Sequence, residues 1–271
     1  MSSFDSMTPL ESDLQPPVHS DVHVPSPFLG GFLRHNLLMH AAKFSFQASS
    51  NAGVLPPAQF TPWLASLAYP VGRYGLLPAY FREIEVIGQE NIPLSGPVIL
   101  APTHRSRWDA FVIPYAAGHD ITGRHLHFMV SADEVVGCQG WLIRHLGGFP
   151  VNTKRPTISS LRYGIELLRK HEVLVIFPEG DIFRGRDIQP LKPGLARLAL
   201  QAEANQPDLD TRIVPIHIHY NQPTVPWKSR VKIQIGTPLR VADYNLGSPK
   251  NDAQLLTCGL FRSLKSLEER V

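Results

Sequence analysis

Hydrophobic positions between residues 84 and 269 alternate between short apolar runs and helical stripes. Ile84–Val86, Val98–Ala101, His125–Val130, Phe149–Asn152, Val173–Phe177, Arg212–Tyr220 and Val231–Ile235 read as strands. Trp108–Ala117, Ala132–Val136, Gln139–Leu146, Thr157–Arg169, Pro193–Ala204 and Asn251–Glu269 read as helices between and after them. Strands that are apolar along their whole length need cover on both faces. The pattern therefore predicts an α/β fold: a mostly parallel central sheet flanked by helices.

The chain before this domain is patterned differently. Phe60, Trp63, Leu64, Leu67 and Val71 recur at i, i+3, i+4, i+7 and i+11, an amphipathic helical stripe that Pro70 and Pro78 should interrupt. Tyr74, Leu77, Tyr80 and Phe81 extend its apolar character. Two readings are open. The segment is either a helix pair lying in a membrane surface, with Arg73 and Arg82 near headgroups, or a helix packed on the main domain. Residues 1–53 are rich in Ser, Pro and Asp at the start and read as a disordered tail, with room for a short helix through Leu29, Leu33 and Leu37. The expected organisation is a tail at 1–53, amphipathic interfacial helices at 54–84 and an α/β domain at 85–271.

Bulk properties narrow the partners. A chain of 271 residues that is 43% hydrophobic can bury one large core. A net charge of +3 does not point to nucleic acid, but it suits an anionic substrate or membrane surface. No stretch approaches the ~20 apolar residues of a membrane span. The first cation is Arg34, so no basic leader of a secretory signal is expected. Cys138 and Cys258 have no ligand-like spacing. The pairs His125/His127 and His217/His219 lack a carboxylate spaced beside them, so no metal site is expected.

The candidate chemistry sits at strand ends, where α/β sheets bind ligands. Past the run Pro97–Pro102 comes Thr103-His-Arg-Ser-Arg-Trp-Asp109. A histidine held by a carboxylate on the following helical turn can serve as a general base toward a hydroxyl. No G-x-S-x-G elbow occurs, so Ser106 is expected to cap the helix rather than act as a nucleophile. Glu179 and Gly180 follow the strand ending at Phe177, and Gly180 permits a tight turn. Glu179 suits a substrate hydroxyl, a cation or loop amides equally well. The segment Gly147-Gly-Phe-Pro-Val-Asn-Thr-Lys-Arg155 is a glycine turn and a short strand before two cations suited to a phosphate.

These blocks, taken in order, resemble those of the glycerolipid acyltransferases, a family that includes the 1-acylglycerol-3-phosphate acyltransferases. His104 to Asp109 resembles the H-x4-D block. Gly148-Phe-Pro-Val151 with its following cations, Phe177-Pro-Glu-Gly180 and Val214-Pro-Ile216 resemble the other three. The resemblance implies acyl transfer from acyl-CoA or acyl carrier protein to a lysophospholipid hydroxyl, with no cofactor or metal. The acceptor it favours is 1-acylglycerol-3-phosphate. Acylation of another lysophospholipid, or His/Asp-dependent hydrolysis, is the alternative. His104 would be the base and Asp109 its orienting partner. Gly148, Lys154, Arg155, Glu179 and Gly180 would bind substrate, with Arg155 and Lys154 on the acceptor phosphate. Backbone N–H groups near Gly148 would face the oxyanion. The family's interfacial helices correspond to Phe60–Phe81, which implies a peripheral protein at the cytoplasmic face of a membrane. Where the family's third block continues Thr-Arg, this chain has Asp181-Ile182 and places its arginine at 184.

Overall fold

The computed structural model describes residues 59–152 and 158–270. The expected tail at 1–53 and the start of the interfacial segment lie outside the described residues. Among the described residues, eight strands form one sheet: β1 (Glu83–Ile87), β2 (Val98–Pro102), β3 (Leu126–Ser131), β4 (Gly148–Val151), β5 (Val173–Val175), β6 (Arg212–Tyr220), β7 (Arg230–Ile235) and β8 (Leu239–Arg240). Their order is β1-β7-β6-β2-β5-β3-β4, with β8 on β6. From β6 to β4 every pairing is parallel. β7 runs against β6, and β1 runs parallel to β7. β1 therefore begins at the edge of the sheet where β2 ends.

Alternation along the strands divides the core in two. Leu100, Val175, Val214, Ile216 and Ile218 face Val112 and Ile113 of α3 (Asp109–Ala117), together with Leu77 and Phe81. Ile99, Leu174 and Ile213 face α6 (Ile158–Arg169), α7 (Gly194–Asn205) and α8 (Pro249–Glu268). A central strand such as β2 is buried at every residue, as a sheet covered on both faces requires.

The helical stripe behaves differently from its sequence expectation. α1 (Pro62–Pro70) is not broken at its proline. It loosens into a π-helical turn at Val71–Leu76 and resumes as α2 (Leu77–Tyr80). Pro70 is the last residue of α1, and the wider turn takes over directly after it. Pro78 lies in the first turn of α2, where an N–H is unpaired in any case. Ala65, Leu77 and Phe81 point inward, whereas Trp63 (70% exposed), Leu67, Val71 and Tyr74 (75%) form an outer apolar face. Arg73 does not reach outward to headgroups. Its Nη1 donates to Tyr115 O at 2.7 Å and its guanidinium lies over the Tyr115 ring. The expected helix at Ala132–Val136 is a single 3₁₀ turn, Ala132–Glu134.

Two histidines predicted on strands are buried. Burial pushes both His127 and His217 down to about 4, and neighbouring His125 adds to the effect on His127. Near-neutral solution therefore leaves both rings uncharged in the folded protein. The unfolded chain takes up these protons near pH ~6.5, while the folded chain resists until about 4, so stability should fall as pH drops through that window. His127→Gln should flatten the decline, measured as the change in urea midpoint between about pH 7.5 and about pH 4.5 in phosphate-free buffer. An undiminished decline would remove His127 from this account.

Candidate active site

The site begins where β2 stops. β2 and β6 are paired through Pro102 and Ile216, and β6 continues for four more residues to Tyr220. Thr103 extends the ladder by giving its N–H to Ile216 O, and its Oγ1 accepts the N–H of Ile218 at 2.9 Å. Beyond it the chain turns sharply into α3. His104 and Asp109 face each other across that turn, with His104 Nδ1 to Asp109 Oδ2 at 2.8 Å.

Asp109 is completely buried. Oδ2 also accepts the N–H groups of Arg105 at 2.6 Å and Ser106 at 2.9 Å, and Oδ1 accepts the Tyr220 hydroxyl at 2.8 Å. The carboxylate thus sits in a closed set of four donors at the start of a helix, where negative charge is favoured. Burial, then the charge of Asp109, raises Tyr220 well above the usual phenol range, so its proton stays in place as the donor. With Nδ1–H directed at a carboxylate, the lone pair of the imidazole lies on Nε2. Nε2 has no partner among the described residues. The Phe177 ring stacks on the imidazole with centroids 3.9 Å apart, fixing its plane. Ser106 Oγ accepts Trp108 N–H at 3.3 Å, immediately before α3.

Glu179, past the end of β5, is 2% exposed. Oε1 accepts His104 N–H and Arg105 Nη1, both at 3.0 Å, and Oε2 accepts Arg105 Nη1 and Gln189 N–H at the same distance. Both oxygens are taken by the protein. The cation and loop-amide options of the sequence reading are the ones realised, and no oxygen is left aimed at a substrate hydroxyl. Gly180 adopts φ +75°, and Lys192 Nζ occupies the space a β-carbon would need. Gly148 is buried in β4, where Ile143 Cγ2 would stand 2.3 Å from an added β-carbon, so a side chain there would push α5 (Gly137–His145) off the strand. Lys154 and Arg155 lie outside the described residues.

Three contributors escaped the sequence reading: Arg105, Phe177 and Tyr220. Arg105 stands inside the recognised block, yet its partner Glu179 is 74 residues away. Tyr220 ends a strand whose length places it level with Asp109. An aromatic cluster then joins this corner to α2: Tyr80 and Trp108 have centroids 4.0 Å apart, and Phe81 lies 5.4 Å from Trp108 and 6.1 Å from Tyr220.

A family model described as Acyltransferase matches residues 83–219. A 1-acyl-sn-glycerol-3-phosphate acyltransferase of Bacillus subtilis is 27% identical over 193 residues, covering 69% of this chain and 89% of the relative. One from Streptococcus pneumoniae is 28% identical over 151 residues, covering 54% of this chain and about half (51%) of the relative. The crystal structure of the 1-acyl-sn-glycerophosphate acyltransferase PlsC of Thermotoga maritima shares the fold, with a TM-score of 0.57 and 18% identity. It covers 76% of this chain and 80% of that one.

Removing one member of a buried ion pair strands the other. Glu179→Ala should cost about 3–5 kcal/mol in chemical denaturation, because Arg105 is then left charged and uncompensated. A midpoint unchanged from the parent would show that Arg105 finds another partner.

Proposed function

The chain belongs to the acyltransferase family, and from that premise we propose that it acylates the free hydroxyl of 1-acylglycerol-3-phosphate to make phosphatidic acid. The observation that carries the proposal is the His104–Asp109 contact of 2.8 Å, which leaves Nε2 unbonded at the strand ends. The names of the two sequence relatives support the choice of acceptor.

In this reading the acceptor hydroxyl gives its proton to His104 Nε2 as its oxygen attacks the thioester carbonyl. Asp109 steadies the imidazolium that forms. The tetrahedral intermediate collapses and expels a thiolate, which takes the proton back from Nε2. A thioester is already activated, so no cofactor or metal is assigned; the acyl donor is acyl-CoA or acyl carrier protein. What remains is positioning and oxyanion stabilisation. Lys154 and Arg155 are assigned to the acceptor phosphate. Gly148 lies level with Leu100 in the sheet register and three strands from β2, so it is assigned to the packing of α5 on β4 rather than to substrate or oxyanion, and Gly180 to the turn that positions Glu179. Glu179 is a positioning residue that acts through Arg105 and the His104 backbone.

The acceptor is an amphiphile, and we assign the protein to a membrane surface on the cytoplasmic side. No helix among the described residues is long and apolar enough to cross a membrane. The outer face of α1 and the π turn, with Trp63, Leu67, Val71 and Tyr74 exposed, supports attachment from one side.

His104→Ala should lower turnover by roughly 10²–10⁴ with the fold intact, followed by labelled acyl thioester with and without 1-acylglycerol-3-phosphate. Full activity in that variant removes His104 from the mechanism, and label release independent of acceptor would mean hydrolysis. Trp63→Glu should weaken liposome co-sedimentation by roughly tenfold, the equivalent of losing one buried aromatic side chain. Unchanged sedimentation would assign that face to something other than lipid.

A further inference from the structure

The two oxygens of Asp109 are served differently. Oδ2 takes the His104 ring and the N–H groups of Arg105 and Ser106, all within the local turn. Oδ1 takes one donor among the described residues, the Tyr220 hydroxyl at 2.8 Å, from a strand end 111 residues further on. The turn is closed by its own backbone N–H groups, so Tyr220 is not needed to build it.

The phenol is nevertheless aimed with care. Thr103 is fully buried and gives its N–H to Ile216 O, and its Oγ1 accepts the N–H of Ile218, two residues before Tyr220. This latch fixes the height of the end of β6 against the turn. The Phe81 ring lies along the phenol, 25° from parallel. The ring is buried, and burial followed by the Asp109 charge keeps the proton on its oxygen.

The charged groups around the pair decide what such a donor does. Glu179 bonds the His104 N–H and Arg105, which also reaches the His104 carbonyl. Glu134, from the turn after β3, pairs with Arg107 and is felt electrostatically at His104. Tyr80 of α2 spends its hydroxyl on the Val225 carbonyl. Three carboxylates, Asp109, Glu134 and Glu179, thus meet two guanidinium groups, Arg105 and Arg107. One negative charge is left over, and a protonated His104 would cancel it. A base that already holds a proton cannot take one from a hydroxyl.

We infer that Tyr220 is a positioning residue for the His104 base: by donating to Asp109 Oδ1 it draws the carboxylate's charge off the imidazole and limits how tightly the ring keeps a proton. The inference rests on the assignment of His104 as the base. Its direction follows from hydrogen bonding. A donor to the carboxylate stabilises the anion, so the coupled pair releases its proton at lower pH with the donor than without it. The strength of the base is then set from the end of β6, outside the turn that carries it.

Tyr220→Phe removes the oxygen and keeps the ring. With acyl-CoA and 1-acylglycerol-3-phosphate, the acid limb of the kcat/KM profile should move up by about 0.5–1 pH unit, and turnover at the optimum should stay within about tenfold of the parent. A phenol that serves packing alone would lower the rate at every pH and leave the limb in place. A ring-fluorinated tyrosine at position 220, a stronger donor of nearly the same size, should move the limb the other way. NMR of isotope-labelled histidine reads the same shifts without turnover, the His104 ring being the resonance missing from His104→Gln. Absence of acyl transfer in the parent would sink the proposed function, and the ring titration would still decide the role of Tyr220. A limb and ring titration unmoved in folded Tyr220→Phe, or displaced to lower pH, overturn the inference. Should that variant fail to fold, the fluorinated protein decides: a downward shift supports the inference and an unmoved titration overturns it.

Discussion

The site depends on one buried carboxylate. Asp109 receives an imidazole N–H, two backbone N–H groups and a phenol, drawn from the turn after β2 and from the far end of β6. Each bond fixes something different. The backbone pair shapes the turn, Tyr220 ties the turn to its neighbouring strand, and the last acceptor position sets the tautomer of His104. A carboxylate this deep is tolerable only when its bonding capacity is met, so the geometry of the base and the stability of the corner cannot be varied independently.

A second buried group repeats this logic from the opposite side. Glu179 binds the backbone of His104, the guanidinium of Arg105 and the amide of Gln189, locking the β2 and β5 ends to one another. His104 is thereby clamped twice, through its ring by Asp109 and through its main chain by Glu179. Phe177 adds a flat surface against the imidazole. The ring keeps little freedom except at the nitrogen where a proton would be exchanged.

Much of this was readable from the chain because it is local or periodic. The strands of the α/β domain announced themselves by unbroken apolar runs, and His104 and Asp109 are close enough in sequence to meet across a turn. Features that failed to appear depend on distance or on short length. β8 has two residues, too few for any period to register. The Arg105–Glu179 pair and the Tyr220–Asp109 bond join segments 74 and 111 residues apart, and only strand order brings them together. Pro70 was expected to interrupt a helix because proline usually does; a π turn is a backbone solution that residue identity does not specify. Arg73 has the length to snorkel outward or to fold back, and the carbonyl of Tyr115 decided between them.

The direction of β1 has one more consequence. Since it runs against β2, the chain enters the sheet from α2 at the very edge where β2 delivers His104, and Tyr80 and Phe81 abut Trp108 there. α2 and the imidazole are therefore neighbours on one rim, whereas α1 leads back toward the start of β3, where Tyr69 Oη accepts the N–H of Leu126. A shift of α2 against the sheet would therefore be felt first at Trp108, beside the turn that carries His104, with no residue of the site itself altered.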